Sequence, residues 1–272
     1  MTAPQDHRPE RIIPDIRGVS HIENQLIMAA GRQHSDTFNN THSILQYYWS
    51  FLISADESVF CSVWFLSQIQ QSLWLAMLSA LRRHLVQTHL MIRHSLESGV
   101  LACYALHKKE LAEFCPLCRV GDVEMVVPDD NVLSRAYSWM EAEYQSDSEI
   151  IKTMKSEINR MSAHANIASA SLNIQYDNEK KEIIKDMFDS EDALNTERSL
   201  WWIGNVAVRF MFLYAKILNK YPFAAKIRLD FPEKMKVLEA EHLRIHKRLR
   251  DGFDPILLQN AGKKPVRIRA PK

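Results

Sequence analysis

The sequence predicts an all-α fold: a bundle of about six long helices, with one small β-hairpin near 171–188. Three observations predict it. No proline occurs between Pro14 and Pro116, or between Pro128 and Pro222. The chain has only seven glycines, and they do not cluster. Apolar residues recur at spacings of three and four over long stretches, the period of one helix face. A strand-rich chain would mark its many turns with Gly, Pro or Asn-Gly, and those marks are missing.

The elements follow in order. Residues 1–35 read as a loosely ordered segment, because MTAPQDHRPERIIPD is polar and broken by prolines. Asp36 is placed to cap a helix from Thr37 to about Ser54, with Ile44, Leu45, Tyr48, Phe51 and Leu52 as its apolar side. Asp56 or Ser58 caps the next, which runs toward His107 and is long enough to call for a kink or break. Its stripe is Trp74, Leu78, Leu81, Leu85, Ile92, Leu96, Gly99, Cys103 and Leu106. Val86, Leu90, Val100, Leu101 and Tyr104 make much of its other side apolar too, so it reads as a central, heavily buried helix.

Cys115 to Pro128 reads as a loop. Asp130 caps a helix to about Tyr144, and Ser146 or Asp147 caps another, with Ile151, Met154, Ile158, Met161, Ala165 and Ala168 as its stripe. Ser171 to Asp177 alternates apolar with polar, Asp177 to Lys180 is turn-like, and Glu182 to Phe188 can return as the second strand. Ser190 caps a long aromatic-rich helix over about 191–220, which Pro222 ends. Pro232 sits at the start of a last helix reaching about Arg250. Residues 36–252 are thus expected to form one helical domain, followed by a basic tail over 253–272.

The totals bound the function. A net charge of +1 gives no whole-molecule field to draw in nucleic acid. The polar start is unlike a signal peptide, and the four cysteines need no oxidising compartment, so a cytoplasmic protein is expected. The run from Ser58 to Leu81 carries no charge and is followed by Arg82 and Arg83. Its length suits a bilayer. Gln68, Gln70 and Gln71 would be costly in lipid, so a central bundle helix is the better expectation and membrane association the alternative.

Four motifs are candidate sites. The first is Ile158 to Asn166, INRMSAHAN. On a helical wheel His164 falls at the edge of the apolar stripe, with Arg160 further round and Ser162 near the other edge. A half-buried His suits acid–base work, an Arg can hold a phosphate, and Ser162 and Asn166 can bind beside them. The plain alternative is a boundary histidine bonded to a facing helix. The second is Arg93 and Glu97, spaced to pair on one face within an apolar band. Such a pair is either a buried structural bridge or part of a polar site. The third is Cys115-Pro116-Leu117-Cys118; with no second CxxC and no fourth ligand, two ordinary thiols are expected. The fourth is Glu239-x-x-His242 with His246; a di-metal site needs a second such motif, so a solvated, charge-laced helix is expected. No metal or cofactor is expected, and GxGxxG, Walker A and GxSxG motifs are missing.

An Arg-x-x-x-Glu on a central helix (Arg93, Glu97), a later Ser-x-His (Ser162, His164) and a short extended stretch before a long aromatic helix resemble a family of bacterial all-helical proteins, loosely similar to HEPN-type and abortive-infection proteins. The resemblance covers about residues 40–220. It implies a homodimer and metal-independent cleavage of RNA in a host-defence or toxin setting. His164 would be the acid–base group and Arg160 would bind phosphate. Three residues separate Arg160 from His164, fewer than in that family. The other expectation, from the residues alone, is a non-catalytic interaction or ligand-binding bundle.

Overall fold

A computed structural model describes residues 15–120, 123–160, 173–177, 181–185, 187–189 and 193–251. The fold is mostly helical. Among the described residues there are eight α-helices: α1 (Ile16–Gln33), α2 (Ser35–Ser50), α3 (Phe60–Leu81), α4 (Leu85–His107), α5 (Val132–Glu143), α6 (Gln145–Ile158), α7 (Ala193–Leu218) and α8 (Phe231–Asp251). Among the same residues there are three small antiparallel pairs. β1 (Leu52–Ala55) pairs with β6 (Ala225–Ile227), β2 (Leu117–Val120) with β3 (Val123–Val126), and β4 (Ile174–Asp177) with β5 (Glu182–Lys185). The last is the hairpin expected near 171–188, with Ile174 opposite Lys185 and Asp177 opposite Glu182.

α3 and α4 form the centre. Their apolar residues Leu66, Ile69, Leu73, Ala76 and Met77 on one helix, and Ile92, Leu96 and Leu106 on the other, are removed from water. Several polar residues of α3 find partners on neighbouring elements. Ser62 Oγ donates to the Ala102 carbonyl at 2.7 Å and meets Tyr214 Oη at 2.8 Å. Gln70 donates to the Tyr48 carbonyl at 3.2 Å, and Gln68 accepts from Ser98 at 3.3 Å. Among the described residues no helix is long and apolar enough to cross a membrane, so the span considered for 58–81 is not formed.

The long run toward His107 is two helices. The chain turns back at Arg83, which adopts φ 60°. His84 N–H donates to the Ser79 carbonyl at 2.9 Å, and the Asp189 carboxylate accepts from the first amide of α4, Leu85, at 2.6 Å. A side chain from far along the chain thus satisfies an amide that a local cap would otherwise take. α7 crosses the pair. Its Phe210 lies so close to Gly99 of α4 that an added Cβ there would stand 2.2 Å from the ring.

Several expectations need correction. Residues 16–33 form α1 rather than loose chain, and Ala30 joins the core. α2 stops at Ser50, because Leu52–Ala55 pairs with β6 instead. Asp36 lies in the first turn of α2, not at its cap. Val86 and Leu90 of α4 are exposed, so its first half is less buried than a central helix would be. The segment expected as a loop after Cys115 contains β2 and β3. The tail 253–272 lies outside the described residues.

Candidate functional site

The Arg93–Glu97 pair is neither sealed in the core nor loose in solvent. Arg93 Nε donates to Glu97 Oε1 at 3.3 Å, and both side chains are about three-quarters buried. A third group completes the arrangement. Lys155 of α6 reaches the same Glu97 oxygen at 2.9 Å. Its ammonium also lies over the Tyr137 ring of α5, 4.9 Å from the centroid. α4 and α6 therefore meet at one carboxylate, and α5 lies against its lysine partner. Burial pushes the Glu97 carboxyl up, but hydrogen bonds and charge from Lys155 and Arg93 outweigh it and hold the carboxyl below its ordinary value.

Beside this network an open cleft of about 360 Å³ is lined by Tyr137, Lys152, Lys155, Ser156 and Asn159. Tyr137 Oη and Asn159 Oδ1 are buried there with no hydrogen-bond partner. A buried polar atom without a partner costs about 1–3 kcal/mol, and such exceptions ask for a reason. Burial, and then the nearby Glu97 charge, push the Tyr137 phenol well up, so it stays a neutral hydroxyl. Lys152 is held at the rim by Glu141, 2.8 Å away. Residues 159–160 wind as a wider π-type turn, a feature often found at functional sites. That turn presents Asn159 to the cleft and leaves Arg160 exposed.

The cleft thus joins one sequence-predicted pair, Arg93 and Glu97, to the foot of the INRMSAHAN segment. Ser162, His164 and Asn166 lie outside the described residues. Lys155 and Tyr137 escaped sequence reasoning, and Asn159, though inside the INRMSAHAN stretch, was given no role there. One signal was readable: Lys152, Lys155 and Asn159 fall three and four apart, a polar strip on α6.

The other candidates resolve differently. Cys61, Cys103 and Cys115 are free thiols, and among the described residues no three His, Cys, Asp or Glu side chains gather as a metal site. α8 is not simply a solvated helix. Phe231, Met235, Leu238, His242, Ile245 and Leu249 form its buried stripe. The His242 ring stacks on Trp201 at 5.0 Å, and His246 stacks at 4.3 Å. His242 Nδ1 lies 3.2 Å from Asn40 Oδ1, while Nε2 is buried without a partner. Burial, and then the charges of His246 and Arg209, lower the His242 pKa to about 3. His242 is a neutral core residue.

No family model, no curated protein and no solved structure matches this chain.

Proposed function

We propose that the protein is a helical ligand-binding bundle, and that its site is the cleft between α5 and α6, beside the Arg93–Glu97 pair of α4. The observation that carries this reading is the pair of buried, unpartnered polar atoms, Tyr137 Oη and Asn159 Oδ1, on two residues that line one cleft beside a mostly buried charge network. A ligand that hydrogen-bonds both would remove their desolvation cost. Two cations, Lys152 and Lys155, line the cleft, and no carboxylate is among its described lining residues, which suits a small anion. The Glu97 bridge fixes the Lys155 ammonium in place, which lowers the ordering cost of binding. Free thiols at Cys61, Cys103 and Cys115 suit a reducing, cytoplasmic setting.

The test is thermal stabilisation by a small anion panel: inorganic phosphate, a 5′-nucleoside monophosphate and a short single-stranded RNA. Wild type should be stabilised by at least one, and Tyr137→Phe and Lys155→Met should bind it about tenfold or more weakly. No stabilisation of wild type by any member would contradict the reading.

One observation favours RNA among anions. Arg160 is exposed one residue beyond Asn159, where it can reach a phosphate that the cleft does not enclose. On this second reading the Arg160 and His164 pair cuts RNA without metal. Cleavage by wild type that His164→Ala abolishes, with the melting temperature unchanged, would select it over simple binding.

A further inference from the structure

The α5–α6 cleft has an order along its length. Lys152 of α6 meets Glu141 of α5, and Lys155 meets the Tyr137 ring. The α5 number falls as the α6 number rises, so the two helices run in opposite senses and position along the cleft follows position along α6. At about 1.5 Å of rise per residue, Asn159 lies roughly 6 Å beyond Lys155 and roughly 10 Å beyond Lys152. Lys152 therefore marks one end, Lys155 and Tyr137 the middle, and Asn159 the other end.

The two ends ask for different chemistry. An ammonium has three N–H donors and no acceptor. Lys152 gives one to Glu141 at 2.8 Å and Lys155 gives one to Glu97 at 2.9 Å, so each has donors to spare. Asn159 Oδ1 can only accept, and it is buried with no partner. A ligand therefore needs acceptors at the lysine end and a donor at the Asn159 end. Tyr137 Oη, also buried with no partner, can donate or accept between them. Among the described residues no carboxylate lines the cleft, so a ligand ammonium would find no counter-charge on its walls. A neutral hydroxyl or amino N–H suits the Asn159 end better. The volume of about 360 Å³ is that of a site for a small organic molecule rather than a bare ion.

We infer, resting on the reading of this cleft as a binding site, that its ligand is a two-ended organic phosphate. The phosphate lies at Lys152 and Lys155, where a monoester brings three free oxygens for the spare N–H groups and the Ser156 hydroxyl. A neutral donor at the far end of the ligand meets Asn159 Oδ1. Sugar phosphates and nucleotides share this chemistry: the donor is a sugar hydroxyl in one and a base amino group in the other.

The test is isothermal titration calorimetry on the full chain with four probes: inorganic phosphate, ribose 5-phosphate, adenosine 5′-monophosphate, and purine riboside 5′-monophosphate, which lacks the base amino group. Wild type should bind ribose 5-phosphate or adenosine monophosphate about tenfold or more tightly than inorganic phosphate. Adenosine monophosphate binding more tightly than the purine riboside compound assigns the donor to the base; equal affinities assign it to the sugar. Asn159→Ala should lose the gain over inorganic phosphate but keep the affinity for inorganic phosphate itself, whereas Lys155→Met should weaken all four. Asn159→Ala should melt no lower than wild type, because Oδ1 has no hydrogen bond to lose. The wild-type comparison is decisive without any variant. Inorganic phosphate binding as tightly as the three organic phosphates would overturn the two-ended ligand and leave the anion site standing. Binding of none of the four would overturn both. A gain for the organic phosphates that survives Asn159→Ala would also overturn the inference.

Discussion

Two histidines should make this protein sensitive to mild acid. His242 and His89 are each only 3% exposed. Burial, then the charges of His246 and Arg209, lower the His242 pKa to about 3; burial alone lowers His89 to about 4. Unfolded, both return to the ordinary value near 6.5. The unfolded chain therefore takes up protons first as pH falls. Their cost to stability is nil above about pH 6.5 and grows until the folded values are reached. Each pH unit below 6.5 costs up to about 1.4 kcal/mol per histidine. From pH 6.5 to 4.5 that is roughly 2–3 kcal/mol each, or about 5 kcal/mol together. A domain has about 5–15 kcal/mol in all, so the effect is large.

Urea unfolding followed by circular dichroism at pH 7.5, 6.0 and 5.0 measures it. The His242→Gln variant should be less stable than wild type at pH 7.5, since it loses the Trp201 stack. Its stability should then fall less steeply, by about 1 kcal/mol per pH unit between pH 6.0 and 5.0. Parallel pH slopes for wild type and variant would refute the assignment of His242 as a neutral core histidine.

Other outcomes test the packing and the network. Gly99→Ala should cost about 1–3 kcal/mol or more in urea unfolding, because its Cβ would stand 2.2 Å from Phe210. Gly204→Ala should cost less, since the nearest atom, on His242, is 3.1 Å away; the reverse order would refute the packing of α7. Asp189→Ala removes the partner of the Leu85 amide and should cost about 1 kcal/mol by the same assay. Ser62→Ala leaves the Tyr214 hydroxyl with one fewer buried partner and should cost about 1–2 kcal/mol. Lys155→Met should raise the Glu97 pKa in an NMR titration, because Glu97 loses its nearer counter-charge; an unchanged value would show that Arg93 alone holds it down.

The helical class was legible because sparse Gly and Pro are a global property. The breaks were not, because they are set by contacts between distant segments. Nothing local stops the helix at Arg82; Arg83 can turn into the left-handed region because α3 and α4 pack together and Asp189 supplies the missing cap. β1 and β6 are short pieces whose pairing joins Leu52 to Ile227, beyond the reach of any local pattern. α8 shows a different failure. Its average composition is charged, but Met235, Leu238, His242, Ile245 and Leu249 repeat at three and four, and that period marks the buried face. At the cleft, the Arg93–Glu97 spacing was readable within α4. The contribution of Lys155 and Tyr137 was not, since it depends on how α5 and α6 lie against α4.

The most direct test of the cleft as a binding site is an NMR titration of the wild-type protein with a 5′-nucleoside monophosphate. The Asn159 side-chain amide and the Tyr137 ring should shift together and saturate, with smaller changes at Lys152, Lys155 and Ser156, and Tyr137→Phe should weaken the titration. Shifts confined to other parts of the protein, or none at Asn159 and Tyr137 at saturating ligand, would contradict the account.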